Sequence, residues 1–276
     1  MLILHASDLQ TGKPFRARAA ADFVALAYEL KPDLVVIAGD LTQRAKAREF
    51  RTVRSLLARL APLPVVVTPG NHDVPLYRVW ERLLSPYRNW RRFIAPGLDS
   101  VTRVPGATVV ALNSSAPRRA IVAGRLGPRQ LELARDSFAS APAGDARVVV
   151  IHHHFVRPPG GEGGRPLPGA RRLLEAFEAM GVDLILGGHV HQTHLGTSRS
   201  LVGGAGPGIP LVACGTTASS RGRGPEADMN TLNVVRLDAA TVRVETLLHR
   251  EGEGFVPVGE RAFPRPGPPT GGEARA

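Results

Sequence analysis

Five short polar clusters each stand directly after an apolar run. They are His5 with Asp8 and Gln10, then Gly39-Asp40, then Asn71-His72-Asp73, then His152-His153-His154, and last His189 with His191. Aspartate, asparagine and histidine offer hard oxygen and imidazole nitrogen donors, and no cysteine joins them. Such a donor set suits Mn²⁺, Fe or Zn²⁺ and argues against a structural cysteine-zinc site. Seven or so candidate donors exceed what one ion needs. Two ions sharing a bridging carboxylate are the economical arrangement, and such pairs sit roughly 3.5–4 Å apart in phosphoryl-transfer sites. Asp40 is the natural bridge, because the preceding glycine lets the chain turn sharply and project the carboxylate into a crevice.

These residues meet only if their strands end at one edge. In open α/β sheets the carboxyl ends of the strands converge on a crevice, which satisfies that condition. Periodicity and composition predict strands at Leu2–His5, Leu34–Ala38, Val65–Thr68, Thr108–Asn113, Val148–His152, Asp183–Leu186, Leu211–Cys214, Leu232–Leu237 and Thr241–Leu247. Helices are predicted near Arg16–Leu30, Ala45–Leu60, Tyr77–Trp90, Pro128–Ser140 and Arg171–Met180. Strands alternating with helices imply an α/β architecture, and the closing strands without helices add an antiparallel portion. Without an internal repeat or mid-chain linker, residues 1–260 read as one domain. Residues 261–276, which run into the proline- and glycine-rich Pro264–Ala276, read as a disordered tail. A second such stretch, Arg157–Gly169, reads as a mobile loop beside the site.

The 276 residues carry a formal net charge of +11, with only three lysines, at 13, 31 and 46, so the basic charge is nearly all arginine. That balance favours anionic partners such as phosphate esters, nucleic acid or acidic lipid. The arginine clusters at 88/91/92, 118/119 and 171/172 lack interleaved aromatics, so they read as solvated faces and nucleic acid is not the expected partner. The lone Cys214 cannot form an internal disulfide. No stretch reaches the roughly 18 apolar residues that span a bilayer, and the N-terminus runs straight into a strand with no signal peptide evident. A cytoplasmic protein is expected.

The blocks "SDLQTG", "GDLTQRA", "PGNHDVP", "IHHH" and "GGHVH" resemble, in order, the five motifs of the calcineurin-like metallophosphoesterases. "GDLTQRAKAREF" and "GRLGPRQLELAR" resemble the bacterial branch that includes class III cyclic-nucleotide phosphodiesterases. The resemblance covers Leu2 to about His194. It implies a four-layer α/β/β/α sandwich of two mixed sheets flanked by helices. It also implies that Asp8, Gln10, Asp40 and His191 hold one metal ion and Asp40, Asn71, His152 and His189 a second. His153 is the second choice for the ligand given to His152. His154 stands where relatives usually have proline. His72 would touch the scissile phosphate of a small anionic substrate, with Asp73 orienting it, and a hydroxide bridging the two divalent ions would attack.

One position departs from the pattern, since Gln10 stands where the usual Asp-x-His has histidine. A neutral amide oxygen is a weaker ligand for late transition metals, so the first site is expected to bind loosely or to prefer Mn²⁺ or Mg²⁺. A branch that cleaves ADP-ribose and CDP-alcohols also resembles this chain in using glutamine here. Three readings follow: a phosphodiesterase for cyclic or nucleotide-like diesters, a related diphosphatase or other phosphate-ester hydrolase, and a non-catalytic scaffold on the same fold. Retention of His72 and Asp73 speaks against the third.

Overall fold

In a computed structural model, which describes residues 1–118, 122–158 and 164–266, alternation along each buried strand builds the molecule. Leu2–Ala6 (β1) and Leu34–Ile37 (β2) run parallel, with Ile3 opposite Leu34, and β2 pairs in parallel with Val65–Val67 (β3). On the other side of β1 lie Thr231–Leu237 (β10), Thr241–Arg250 (β11) and Gly254–Pro264 (β12), all antiparallel. The first sheet thus has the order β12-β11-β10-β1-β2-β3. Ser100–Val104 (β4), Ala107–Leu112 (β5), Ala146–Ile151 (β6), Leu184–Gly187 (β7), His194–Thr197 (β8) and Pro210–Ala213 (β9) form the second, ordered β4-β5-β6-β7-β9-β8.

Successive residues of a strand face opposite sides, so each strand serves two cores. Leu34, Val36 and Ala38 pack with Val109, Ala111, Val148 and Val150 between the sheets. Val35 and Ile37 face outward against Phe23 of Ala17–Leu30 (α1), Phe50 of Ala47–Ala58 (α2) and Trp90 of Arg88–Phe93 (α4). On the far side, Val149 and Ile151 meet Phe138 of Pro128–Ala139 (α5) and Phe177 of Ala170–Ala179 (α6). The result is the expected four-layer α/β/β/α sandwich.

The differences from the sequence reading have local causes. The helix expected over Tyr77–Trp90 is two short ones, Val79–Leu84 (α3) and α4, because Pro86 cannot continue the first. β4, β8 and β12 were not expected. All three lie at sheet edges, where one side of the strand is solvated and the apolar signal is thin. β12 also corrects the expected start of the tail: residues 261–264 pair with β11 and Phe263 is buried. Its Pro257 sits beside a register shift opposite Thr246 and Leu247, a position at which an edge strand tolerates proline. The rest of that tail, 267–276, and residues 159–163 of the expected mobile loop lie outside the described residues. Past that gap Leu167 is buried and donates its N–H to the His154 carbonyl. Among the described residues no helix is long and apolar enough to cross a membrane.

Phe177 is fully buried between α6 and the second sheet, away from the polar strand ends. Phe177→Ala is expected to cost about 3–5 kcal/mol, read as a fall in the urea midpoint. An unchanged midpoint would contradict this packing.

Candidate metal centre

The C-terminal ends of β1, β2, β3, β6 and β7 reach one edge of the sandwich, and each hands a polar residue to the same point. Asp8, Gln10, Asp40, Asn71, His152, His189 and His191 are all buried there. The turns that carry them are tight. Asp8, Gln10, Asp40, His189 and His191 have φ between +45° and +76°, a left-handed backbone that non-glycine residues seldom adopt. These five belong to only eight such non-glycine residues among those described, and such strain collects at functional sites. Two glycines make the approach possible. A Cβ at Gly39 would stand 2.6 Å from the His152 ring, and one at Gly70 would collide with the Asp40 carboxylate.

Asp40 lies at the middle. Its Oδ1 accepts the His72 backbone N–H at 2.7 Å and faces His152 Nε2 at 3.3 Å, while its Oδ2 lies 3.4 Å from Gln10 Nε2. On one side Asp8, Asp40 and His191 bring one donor atom each to within 4.8 Å of one another. On the other, Asn71 Oδ1 lies 2.9 Å from His189 Nδ1 and 3.2 Å from His152 Nε2. His191 Nδ1 meets the Arg221 carbonyl at 2.8 Å and His152 Nδ1 the Ala38 carbonyl at 2.7 Å. Each of these contacts fixes a tautomer that leaves the ring's Nε2 free to act as a ligand.

Several observations show that these residues fit metal ions. Asp8 Oδ1 is buried without a hydrogen-bond partner and faces His191 Nε2 at 3.2 Å, whereas its Oδ2 accepts from Ser7 Oγ and the His189 N–H. Burial alone would raise the pKa of Asp40, yet His152 and His72 hold it well below the usual carboxylate range. Burial would likewise lower that of His152, but Asp40 and then Asp8 push it up to about 9. The carboxylates demand positive charge at this point, which a proton or a metal ion can supply. His189 is held well below its ordinary value by burial and by His153 and His152, so its ring is neutral, as a ligand must be.

Two expected roles change in detail, and the choice among the three consecutive histidines is as expected. Gln10 is in the cluster, but its Oε1 accepts from Ser219 Oγ at 2.9 Å and its Nε2 faces His191 Nε2 at 3.1 Å. An amide nitrogen has no lone pair to donate, so ligation by Gln10 requires the amide to turn over, with Ser219 then accepting. Asp73 does not orient the His72 ring. Its carboxylate accepts the N–H groups of Leu41, Thr42 and Gly70 and the Thr42 hydroxyl, which ties the Asp40 turn to the Asn71 turn. Burial and the neighbouring Asp40 push Asp73 up to about 7, against the donors of Gly70 and Thr42. The Gln43 carbonyl, 2.9 Å from His72 Nδ1, orients the imidazole instead. Of the three consecutive histidines, His152 enters the cluster. His153 Nδ1 turns to Ser114 Oγ at 2.6 Å, and the His154 ring stacks on His189 with centroids 5.4 Å apart.

A crevice of about 280 Å³ opens onto Asp40, Asn71, His189 and His191. Leu76, Tyr77, Val122 and Gly164 form part of its wall, the last of them from the Arg157–Gly169 loop expected beside the site. Arg44, Arg221 and Arg223 also line it, and sequence reasoning missed all three. Arg44 lies inside a quoted motif. Arg221 and Arg223 sit in "TTASSRGRG", a small-residue basic loop following β9, which was the available signal. Arg221 Nη1 is 3.1 Å from His72 Nε2 and Arg44 Nη1 3.3 Å from His72 Nδ1. Burial, reinforced by Arg223 and Arg44, lowers the Arg221 pKa against the pull of Asp40.

Asp40→Ala is expected to abolish binding of divalent ions at both halves of the cluster, measured as Mn²⁺ stoichiometry by isothermal titration. Two equivalents bound with wild-type affinity would refute Asp40 as the bridge. Gln10→His is expected to shift the Mn²⁺ titration of the weaker site at least about tenfold tighter, the lower end of what changes around metal ligands produce. Superimposed curves would remove Gln10 from the ligand set.

The comparison with known proteins agrees with this geometry. The sequence model of the calcineurin-like phosphoesterases matches residues 1–193. The cAMP/cGMP dual specificity phosphodiesterase of Mycobacterium tuberculosis (strain CDC 1551 / Oshkosh) is 28% identical over 192 residues, 63% of this chain and 52% of that protein. The match therefore spans about half the length of that relative. A dimetal phosphatase from Danio rerio superposes with a TM-score of 0.66 at 13% identity, covering 96% of this chain and 99% of that one. A purple acid phosphatase from yellow lupin (Lupinus luteus) seeds gives 0.71 at 14% identity, covering 95% and 53%. At such identities the structural likeness is one of fold. The sequence match, however, runs through every strand end that carries the cluster, and the chain belongs to the calcineurin-like phosphoesterase family.

Proposed function

We propose that this chain is a dinuclear-metal phosphoesterase that hydrolyses small phosphodiesters, either cyclic nucleotides or nucleotide-like diesters. The observation that carries the reading is the place of Asp40 between two donor groups, Asp8 with His191 and Asn71 with His152 and His189, at the floor of an arginine-lined crevice. Asp8, Asp40 and His191, with Gln10 once its amide turns, would hold one ion. Asp40, Asn71, His152 and His189 would hold the other. Bound there, two divalent ions polarise a phosphoryl oxygen and lower the pKa of the attacking water.

The chain's own groups do the rest. Arg221 and Arg44 flank His72 and present fixed positive charge to the non-bridging oxygens of the phosphate, where charge grows in the transition state. With Nδ1 against the Gln43 carbonyl, His72 carries its proton there and directs an Nε2 lone pair at Arg221. Burial lowers the His72 pKa further than Asp40 restores it, so the ring is neutral. It must take up a second proton before Nε2 can protonate a leaving oxygen. Until then the donor at this point is Arg221. Asp73 acts at one remove, as the brace that sets Asp40 and Asn71.

The relative from Mycobacterium tuberculosis supports cyclic nucleotides as the first substrates to try. The diphosphatase reading draws on a separate observation: two guanidiniums stand side by side at the crevice wall, and among the described residues neither has a carboxylate within 4.0 Å. A substrate with two adjacent phosphates would neutralise both.

Hydrolysis of bis-p-nitrophenyl phosphate, cyclic nucleotides, ADP-ribose and single-stranded DNA should be followed with Mn²⁺, Mg²⁺ and Zn²⁺ in turn. Diester cleavage with Mn²⁺ is expected, and loss of all activity with every metal would defeat the hydrolase reading. Arg221→Ala is expected to lower kcat by about 100-fold, the scale of losing one oriented donor, with Mn²⁺ stoichiometry retained. Unaltered kcat would remove Arg221 from the reaction.

A further inference from the structure

Helix α3 is turned inside out for a protein surrounded by water. None of its residues is buried. Trp80 and Leu84 are each 77% exposed and Tyr77, just before the helix, is 73% exposed; Val79 and Leu83 are exposed as well. Five of the eleven large apolar residues exposed among those described thus fall within eight residues of chain. Its polar side chains point the other way. Arg78 donates to the carbonyls of Arg44 and Ala45 and pairs with Glu81, Arg82 donates to the Leu76 carbonyl, and Arg118 reaches across to the Leu83 carbonyl. The helix is therefore held to the body by arginine-to-carbonyl hydrogen bonds, and its apolar face is left outward. Contiguous apolar exposure of this kind marks a surface made for a partner.

We propose that α3 together with Tyr77 docks on the surface of an anionic lipid bilayer. Charge and residue type both favour that occupant. Residues 74–98 hold five arginines and one acidic residue, Glu81, and Glu81 is already paired with Arg78. Arg88, Arg91 and Arg92 on the next helix are exposed. Tryptophan and tyrosine prefer the headgroup level, and leucine and valine enter the acyl boundary, while arginines meet anionic headgroups. The patch also adjoins the crevice: Leu76, Tyr77 and Val122 line its wall. A bilayer seated on α3 thus puts headgroup phosphates at the mouth of the candidate metal centre. The inference rests on the surface alone and stands whatever the substrate proves to be.

The chain has two tryptophans, and Trp90 is only 1% exposed, so a change in tryptophan emission on adding lipid reports Trp80. The 276-residue protein should be mixed with vesicles of phosphatidylcholine alone and with vesicles containing phosphatidylglycerol. Expected are a blue shift and co-sedimentation with the anionic vesicles, at least tenfold weaker with the neutral ones and falling as salt screens the arginines. The double variant Trp80→Ser/Leu84→Ser should lose at least tenfold in vesicle affinity while keeping the wild-type melting temperature and Mn²⁺ stoichiometry. No binding to either vesicle would overturn the proposal, as would equal binding to both or undiminished binding by the variant. Lipid-free self-association that buries Trp80 and is abolished in the variant would overturn it in favour of a second copy of this chain.

Discussion

A carboxylate with no exposed surface, held between two β-sheets, is stable as an anion only if cationic or donor groups surround it. Asp40 is such a group, and most of the site's geometry is what that requirement dictates. Taking an unpaired carboxylate out of water costs several kcal/mol even after the protein relaxes. His152, His72 and the Gln10 amide all turn toward it, and Asp8 and Asn71 complete two donor groups that share it. Asp40 and Asp8 push the His152 imidazole toward its protonated form. A pair of divalent ions would satisfy the same demand and leave the imidazoles neutral, which is the state in which they act as ligands.

That demand is met by backbone as much as by side chains. Five candidate ligands sit in left-handed conformations costing of order 1–3 kcal/mol each, and the cost is carried by a surrounding framework. Asp73 shows how. By accepting four hydrogen bonds from the Asp40 and Asn71 turns it fastens the end of β2 to the end of β3. The parallel pairing of β1, β2 and β3 had already brought those ends together. Ser7 does the same between the ends of β1 and β2, tying Asp8 to the Ala38 carbonyl, and Asp8 itself reaches across the sandwich by accepting the His189 N–H beyond β7. The two sheets are thus joined at their polar edge by the groups that form the site.

The residues of the cluster were legible in the sequence because each follows an apolar run, and a strand end in a parallel sheet has only one crevice to enter. The central strands were legible for a related reason: burial on both faces leaves an unbroken run of Val, Leu and Ile. Edge strands such as β12 were not, since Pro257 and a solvated face thin the signal. Nor were the orientations. The Gln10 amide meets Ser219, which is 209 residues away and can donate to its oxygen or accept from its nitrogen, and whether Asp73 serves His72 or the backbone depends on where Thr42 falls. Arg221 was invisible for the same reason, since nothing near it in the chain says that β9 ends beside β7.

Two groups of arginines differ in their partners, and the difference bears on the field in the crevice of this strongly basic chain. Arg18, Arg171, Arg236 and Arg265 lie beside carboxylates, and such pairs leave little net field. Arg44 instead spends its guanidinium on the Gln43 carbonyl, and Arg221 spends its own on the Gln43 side-chain amide oxygen and on Nε2 of His72, neutral acceptors that fix direction without cancelling charge. A fixed cation in a crevice with low-dielectric walls is felt more strongly than one on an open face. The crevice therefore attracts anions even though the +11 charge is spread over the whole chain. Helix α3 is held on the same principle, since the Arg78 guanidinium reaches the carbonyls of Arg44 and Ala45. The segment that orients Arg44 toward the crevice is thus also the one on which the exposed helix is mounted, so the wall of the site and the outward apolar surface depend on the same few hydrogen bonds.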